Sequence, residues 1–245
     1  KIIAGYHNLP VIKVPQLIFN KNPYTNFLAP DPTASSIIQK AKNKSSFCLN
    51  DNSVMYALGI VTGNNENLIK KEPQVGLEPI INGKHIKKYL IDYSKIDTYI
   101  LFEKDRLQQV ADESLYRHKK KILYKFIGKK LAFALEPKGM LSLNSANIIC
   151  LPDHINEYQV VAILNSRITQ LLFEELYNTS KVLKNHIQSF PLFNFKKDDL
   201  EIITKSIDSK KNTGKSQYIE EIEDIIYKHL DLNDNEIIYI KERYI

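Results

Sequence analysis

Over the first 150 positions the apolar residues come in short runs. "QLIFN" (Gln16–Asn20), "VMYALGIVT" (Val54–Thr62) and "TYILF" (Thr98–Phe102) are brief and rich in β-branched and aromatic side chains, as strands are. "KILYKFI" (Lys121–Ile127) and "KLAFALE" (Lys130–Glu136) continue the series. Glu136-Pro137-Lys138-Gly139 has Pro second and Gly fourth, as a type I turn prefers, so "LAFAL" is expected to pair with "MLSLNSANIICL" as an antiparallel hairpin. "TASSIIQKAKN" (Thr33–Asn43) is the clearest early helix. Beyond Leu151 the period lengthens. Asn156 with Gln159 three residues on resembles a capping box. Val160, Ile163 or Leu164, Ile168, Leu171, Leu172 and Leu176 then make one helical stripe. "SKVLKNHIQS" predicts a shorter helix that must stop before Pro191. Three tail helices are expected at Asp199–Asp208, Gln217–His229 and from a cap near Asp234 to Tyr244, with "SKKNTGKS" (Ser209–Ser216) as a polar, flexible joint. The pattern predicts an α+β fold. A mixed, strand-rich region spans 1–150, and a helical region over 151–245 packs on it.

At 245 residues the chain can bury a sizeable core, and 43% apolar with 25% charged residues is ordinary for a globular protein. No run of about eighteen apolar residues exists, so no helical membrane span is expected. The chain starts at Lys1 without a signal peptide and is expected to be a piece of a longer cytoplasmic protein. Cys48 and Cys150 sit in apolar company with no CxxC pattern and read as buried free thiols. The net charge of +6 is unevenly spread: Lys84–Lys130 carries +7, whereas Asp198 to the end carries −5. Such segregation suggests a basic face for a polyanion and an acidic end turned elsewhere.

Catalytic readings find little to stand on. "KNPYTN" (Lys21–Asn26) is similar to the Asn-Pro-Pro-aromatic loop of amino-methyltransferases, but it has one Pro, and none of the eight glycines forms a GxG. Glu136-x-Lys138 with Asp112 resembles a nuclease carboxylate-lysine set, yet Asp112 stands in a helical stretch and the turn reading is preferred. The six histidines show no metal-ligand spacing, and no serine stands in a GxSxG elbow. No catalytic residue, metal ligand or cofactor site is expected within this chain.

Two basic segments remain. "INGKHIKKY" supplies Lys84, Lys87 and Lys88, and "YRHKKKILYKFIGKK" supplies Lys119, Lys121, Lys125, Lys129 and Lys130. In a strand, Lys121, Leu123 and Lys125 share one face and Ile122, Tyr124 and Phe126 the other, giving a lysine row opposite a core face. Lysines suit phosphates, which need charge but little geometry. Base edges need donors and acceptors. "VTGNNEN" and "SLNSAN" offer Asn64, Asn65, Asn144 and Ser145, although each cluster also reads as a turn or cap.

Five ordered blocks carry a family resemblance: "ALGIVTGNNENLI", "EPIINGKHIKKYLIDYSKIDTYILF", "KILYKFIGKKLAFALEPKGMLSLNSANIICL", "YQVVAILNSRITQLLFEELY" and "VLKNHIQSFPL", with a closing "YKHLDLNDNEIIYI". Together they resemble the TaqI-like C-terminal specificity domain, the target-recognition domain of type IIG restriction-modification enzymes and related adenine-N6 DNA methyltransferases. Asn82-Gly83 stands where that family often has Arg-Gly, so a guanidinium contact is missing from this loop. The resemblance implies double-stranded DNA as partner. It also implies methyltransferase and nuclease domains elsewhere in the parent chain, which would use S-adenosylmethionine and Mg²⁺. Half of a type I specificity subunit is the nearest alternative, though its helical spacer would show extended heptads. An RNA-binding or scaffold module and a self-contained nuclease are more distant ones.

Overall fold

The computed structural model describes residues 31–177, 179–213 and 217–244, together with the backbone of two antiparallel strands, β1 (Ile2–Ala4) and β2 (Ile12–Val14). The strand expected at Gln16–Asn20 and the Lys21–Asn26 loop lie outside the described residues. Helix α1 (Pro32–Lys44) opens where the Asp31 carboxylate accepts from the backbone N–H of Thr33 and Ala34 at 2.8 and 3.1 Å, with Pro at the first turn. It buries the Ala34, Ile37, Ile38 and Ala41 stripe. Short elements follow: β3 (Met55–Ala57), α2 (Asn65–Leu68), β4 (Ile69–Lys70), β5 (Glu78–Ile81), β6 (Ile86–Lys87), β7 (Leu90–Ile91), β8 (Tyr99–Ile100) and α3 (Glu113–Arg117). The chain then runs through β9 (Lys121–Lys125), β10 (Phe133–Leu135), β11 (Leu141–Ser142) and β12 (Ala146–Cys150).

These strands form two four-stranded sheets, ordered β10-β9-β12-β3 and β11-β5-β8-β4, beside a small β6-β7 ribbon. The expected hairpin between "LAFAL" and "MLSLNSANIICL" does not form. β10 pairs with β9, Phe133 opposite Tyr124, and the turn at Pro137–Gly139 sends the chain out of this sheet into β11, parallel to β5. A side chain closes that turn: the Glu136 carboxylate accepts from the N–H of Lys138 and Met140 at 3.0 and 2.9 Å. Only β12 returns, pairing with β9 on its other side.

Alternation along β9 and β12 places Ile122, Tyr124 and Ile149 in one hydrophobic cluster and Leu123, Ile148 and Cys150 in a second. The second cluster lies between the two sheets, with Ile80, Ile81, Ile100 and Leu141 opposite. The lysine row is therefore corrected. Both faces of β9 are covered, and Lys121 is fully buried against fully buried Glu136, Nζ to Oε2 2.9 Å. Its ammonium also donates to the carbonyls of Met140, at 2.7 Å, and Tyr116. A charge removed from water must be paired, and this one is. Cys150 is buried as expected, whereas Cys48 is only half-buried beside Asn50.

The helices cover the other face of the first sheet. Asn156 accepts from Gln159 N at 3.1 Å, but the Gln159 amide turns to Asn194 and Phe195, leaving half a capping box. The long stripe divides at Ser166 into α4 (Glu157–Asn165) and α5 (Arg167–Tyr177). Along the outer edge of β10, the Asn165 amide bonds both N and O of Phe133, at 3.0 and 2.8 Å. Gln170 takes Leu131 N and Lys129 O, both at 2.8 Å. Helix α6 (Lys184–Ser189) stops before Pro191. Helix α7 (Lys197–Thr213) is longer than expected and runs through Ser209–Thr213, so that much of the expected joint is helical. Finally α8 (Gln217–His229) precedes α9 (Asp234–Arg243), which opens on a reciprocal Asn233–Glu236 capping box.

Candidate nucleic-acid interface

Four loops meet at the end of the first sheet where β9 finishes and β12 starts. Ile60 bridges Leu143 in parallel, and Asn144 N donates to Ile60 O at 3.1 Å. Buried Asn147 accepts from Gly59 N at 3.1 Å. Ser145 ties in two more loops: Oγ accepts from Gly83 N at 2.9 Å, and O accepts from Phe126 N at 3.1 Å. The approach at Gly83 is so close that a Cβ there would stand 2.6 Å from Ser145 O. This gives Gly83 of the "ING" stretch a physical role that no other residue type fills.

Between the 60–65 and 143–145 loops lies a hollow of about 450 Å³, lined by apolar Ile60, Val61 and Leu143 and by polar Thr62, Asn65, Gln108, Asn144 and Ser145. Three of the four residues expected to read bases therefore come together. Their roles differ. Ser145 Oγ accepts from Gly83 N and anchors that loop, Asn65 accepts from the Thr62 hydroxyl, and Asn144 is exposed. Asn64 does not line the hollow; its side chain caps α2 by accepting from Asn67 N at 3.2 Å. Gln108 was not among the sequence candidates. Only the antiparallel bridge between Val61 and Gln109 brings its segment here, and nothing local in "RLQQV" signals that pairing.

The lysines divide into four groups. Lys87, Lys88, Lys125 and Lys130 line one groove of about 860 Å³, bringing both basic segments together. Within it, Lys88 Nζ donates to Asn165 O at 2.8 Å, and burial lowers its pKa. Lys129 is exposed on the same β9–β10 loop, and Lys84 is exposed but held by both Asp97 oxygens at 2.8 Å. Lys119 precedes the opposite end of β9, whose four residue steps alone span about 13 Å. Lys121 is inside the protein and unavailable to any phosphate.

The acidic tail does not simply turn away. Glu220 and Glu223 of α8 line the same groove. Their charge is muted. Arg167 grips Glu220, Nη1 to Oε2 2.8 Å, and holds its pKa below the ordinary value. Burial raises the pKa of Glu223 to about 7.

Asp112 caps α3 by accepting from Ser114 N at 2.9 Å, and Glu136 is committed to Lys121, so neither forms a nuclease cluster. Among the described residues no three His, Cys, Asp or Glu side chains could hold a metal ion, and no helix is long and apolar enough to cross a membrane.

Residues 78–192 match the family described as the TaqI-like C-terminal specificity domain. Comparison with curated protein sequences gives no match. Among solved structures the chain is similar to the type IIL restriction-modification enzyme MmeI in complex with DNA, at 8% identity and TM-score 0.48, over 80% of this chain and 35% of that one. It is also similar to the type IIG restriction endonuclease BpuSI, at 10% identity and TM-score 0.47, over 80% and 33%. A third is the HsdS subunit from Thermoanaerobacter tengcongensis, at 13% identity and TM-score 0.39, over 81% and 50%. The chain spans about a third of the length of the first two.

Proposed function

We propose that this chain, a TaqI-like specificity domain over residues 78–192, selects the double-stranded DNA target of a restriction-modification enzyme. The observation that carries the reading is the family match, and the adjoining lysine groove and polar hollow fit it. Phosphates need charge, which Lys84, Lys87, Lys125, Lys129 and Lys130 offer from exposed or half-buried positions. Base edges need neutral donors and acceptors, which the hollow offers. In this reading, adenine-N6 methylation and cleavage, with S-adenosylmethionine and Mg²⁺, belong to methyltransferase and nuclease domains of the same parent chain. This chain grips the duplex while the target base is turned out of the stack. The C-terminal helices, of 17, 13 and 10 residues, are short and give no support to a long type I spacer.

The test is selection of randomised duplexes by the whole protein at several salt concentrations. One enriched motif, with affinity falling as a power of salt, is the expected result. Equal recovery of all sequences, or binding indifferent to salt, overturns the reading.

A further inference from the structure

The hollow beside Gly63 contains a pair of amides that the fold leaves unused. Gln108 and Asn144 both line it, and among the described residues neither side chain has a hydrogen-bond partner. Their backbones, by contrast, are fixed. Immediately after Gln108, Gln109 exchanges two N–H···O bonds with Val61, at 2.9 and 3.0 Å. Leu107, immediately before Gln108, is buried as an anchor. Asn144 lies between Leu143, whose N donates to Ile81 O at 2.8 Å, and doubly tied Ser145. The Gln108 side chain lies over Gly63, whose φ of +74° and missing Cβ make room: a Cβ there would be 3.0 Å from Gln108 Cβ and 3.3 Å from its Oε1. Rigid backbone, unspent polar ends and cleared space together suit a site that awaits a ligand.

The chemistry of the lining narrows what that ligand is. No Lys, Arg, Asp or Glu lines the hollow, so it has no charge with which to hold a phosphate. Lys84, which follows Gly83 and is held by both Asp97 oxygens, lies outside the lining. A carboxamide presents one acceptor and one donor in a plane. Adenine presents the matching pair in the major groove, N6–H as donor and N7 as acceptor, whereas guanine presents two acceptors and favours Arg or Lys.

We infer that Gln108, with Asn144 beside it, is a specificity-determining residue that reads an A·T pair in this hollow. The inference rests on the DNA-recognition reading above. It assigns the discrimination to an amide outside both motifs that the sequence singles out, and it gives Asn64, which caps α2 outside the hollow, no part in the reading.

Selection from randomised duplexes by the whole protein tests it, with Gln108→Ala, Gln108→Glu and the neighbour Gln109→Glu. Gln109 does not line the hollow, and its substitution carries the same charge change at an adjacent position. Gln108→Ala should lose roughly 5- to 150-fold of discrimination at one A·T position while the other positions keep theirs. Gln108→Glu, with acceptors only, should move that position towards C, whose N4 donates. Gln109→Glu should return the parental motif. Thermal midpoints matching the unaltered protein show that the variants fold. An unchanged motif from folded Gln108→Glu, or the same shift from Gln109→Glu, overturns the assignment of Gln108 and leaves DNA recognition standing. A parental protein that enriches no motif overturns both.

Discussion

Replacing Lys121 by Met separates two opposite expectations, because the chain position of this lysine suggests a phosphate contact and its place in the fold forbids one. The substitution keeps the aliphatic length and removes the charge. At an effective dielectric of about 20, unit charges as close as Nζ and Glu136 Oε2, 2.9 Å, attract by roughly 6 kcal/mol. Desolvating the two ions costs several kcal/mol each, so the pair adds little net stability, but removing one partner leaves the other buried alone at about 3–5 kcal/mol. Lys121→Met leaves Glu136 three donors, Lys138 N, Met140 N and the Tyr93 hydroxyl, and should fall near the lower figure. Glu136→Leu leaves an ammonium with only two carbonyls and also opens the turn, so it should approach the upper one. The double variant buries neither charge and should cost less than the two singles together by at least about 1 kcal/mol. Urea denaturation of all four proteins measures this. With a slope of about 1–3 kcal/mol per molar, each single substitution moves the midpoint by about 1 M or more. DNA titrations against salt complete the test, and their slope should not change. A Lys121→Met protein that keeps its urea midpoint and loses about one unit of salt slope would refute the burial argument.

The groove lysines predict the converse. Lys87→Ala, Lys125→Ala or Lys130→Ala should each flatten the log affinity–log salt slope by about 0.9 and weaken all sequences alike, whereas Lys119→Ala, at the far end of β9, should leave the slope unchanged. Gly83→Ala drives a methyl to 2.6 Å from Ser145 O, and Ser145→Ala strands Gly83 N–H. Each should cost about 1–3 kcal/mol in thermal unfolding and weaken cognate and scrambled duplexes equally. A stable Ser145→Ala protein that loses preference at one base pair would show Ser145 to be a reader. Glu223, with its pKa raised by burial from 4.5 to about 7, keeps a proton in the folded state that the unfolded chain has lost. Its contribution is present below pH 4.5 and lost as pH rises through about 7. Thermal midpoints across that window should therefore fall less in Glu223→Gln than in the parent; equal slopes would contradict the assignment.

Helices were legible where a stripe and an end signal coincided, as at Gln217–His229 and in the stop before Pro191. Polar residues misled at Ser209–Thr213, because a solvated helical turn and a solvated loop share a composition; α7 is held by Ile203 and Ile207 further back. Alternation correctly put Lys121 and Ile122 on opposite faces of β9. It carried no word of the second sheet that covers the Lys121 face, since β5, β8 and β11 come from distant segments. The basic segments were visible as charge, but the groove they share needs α5, α8 and α9 for its other wall. The two asparagine loops were visible as chemistry. Their meeting depends on the Ile60–Leu143 bridge, which no local pattern encodes.

The amides of Asn165 and Gln170 along β10 bear on how copies of this chain behave towards one another. An outermost strand with free N–H and C=O groups is a template on which another molecule can add a strand. Here two carboxamides occupy Leu131 N, Phe133 N, Phe133 O and Lys129 O, so the helices present no open ladder to a neighbour. Lys129 and Lys130 beside that edge add like-charge repulsion between approaching copies. Phe133 O also accepts from Tyr89 N at 3.0 Å, so this edge is closed jointly by two side chains of the helical layer and by the β6–β7 ribbon, and Asn165→Leu with Gln170→Leu would strip the β10 edge of its side-chain cover.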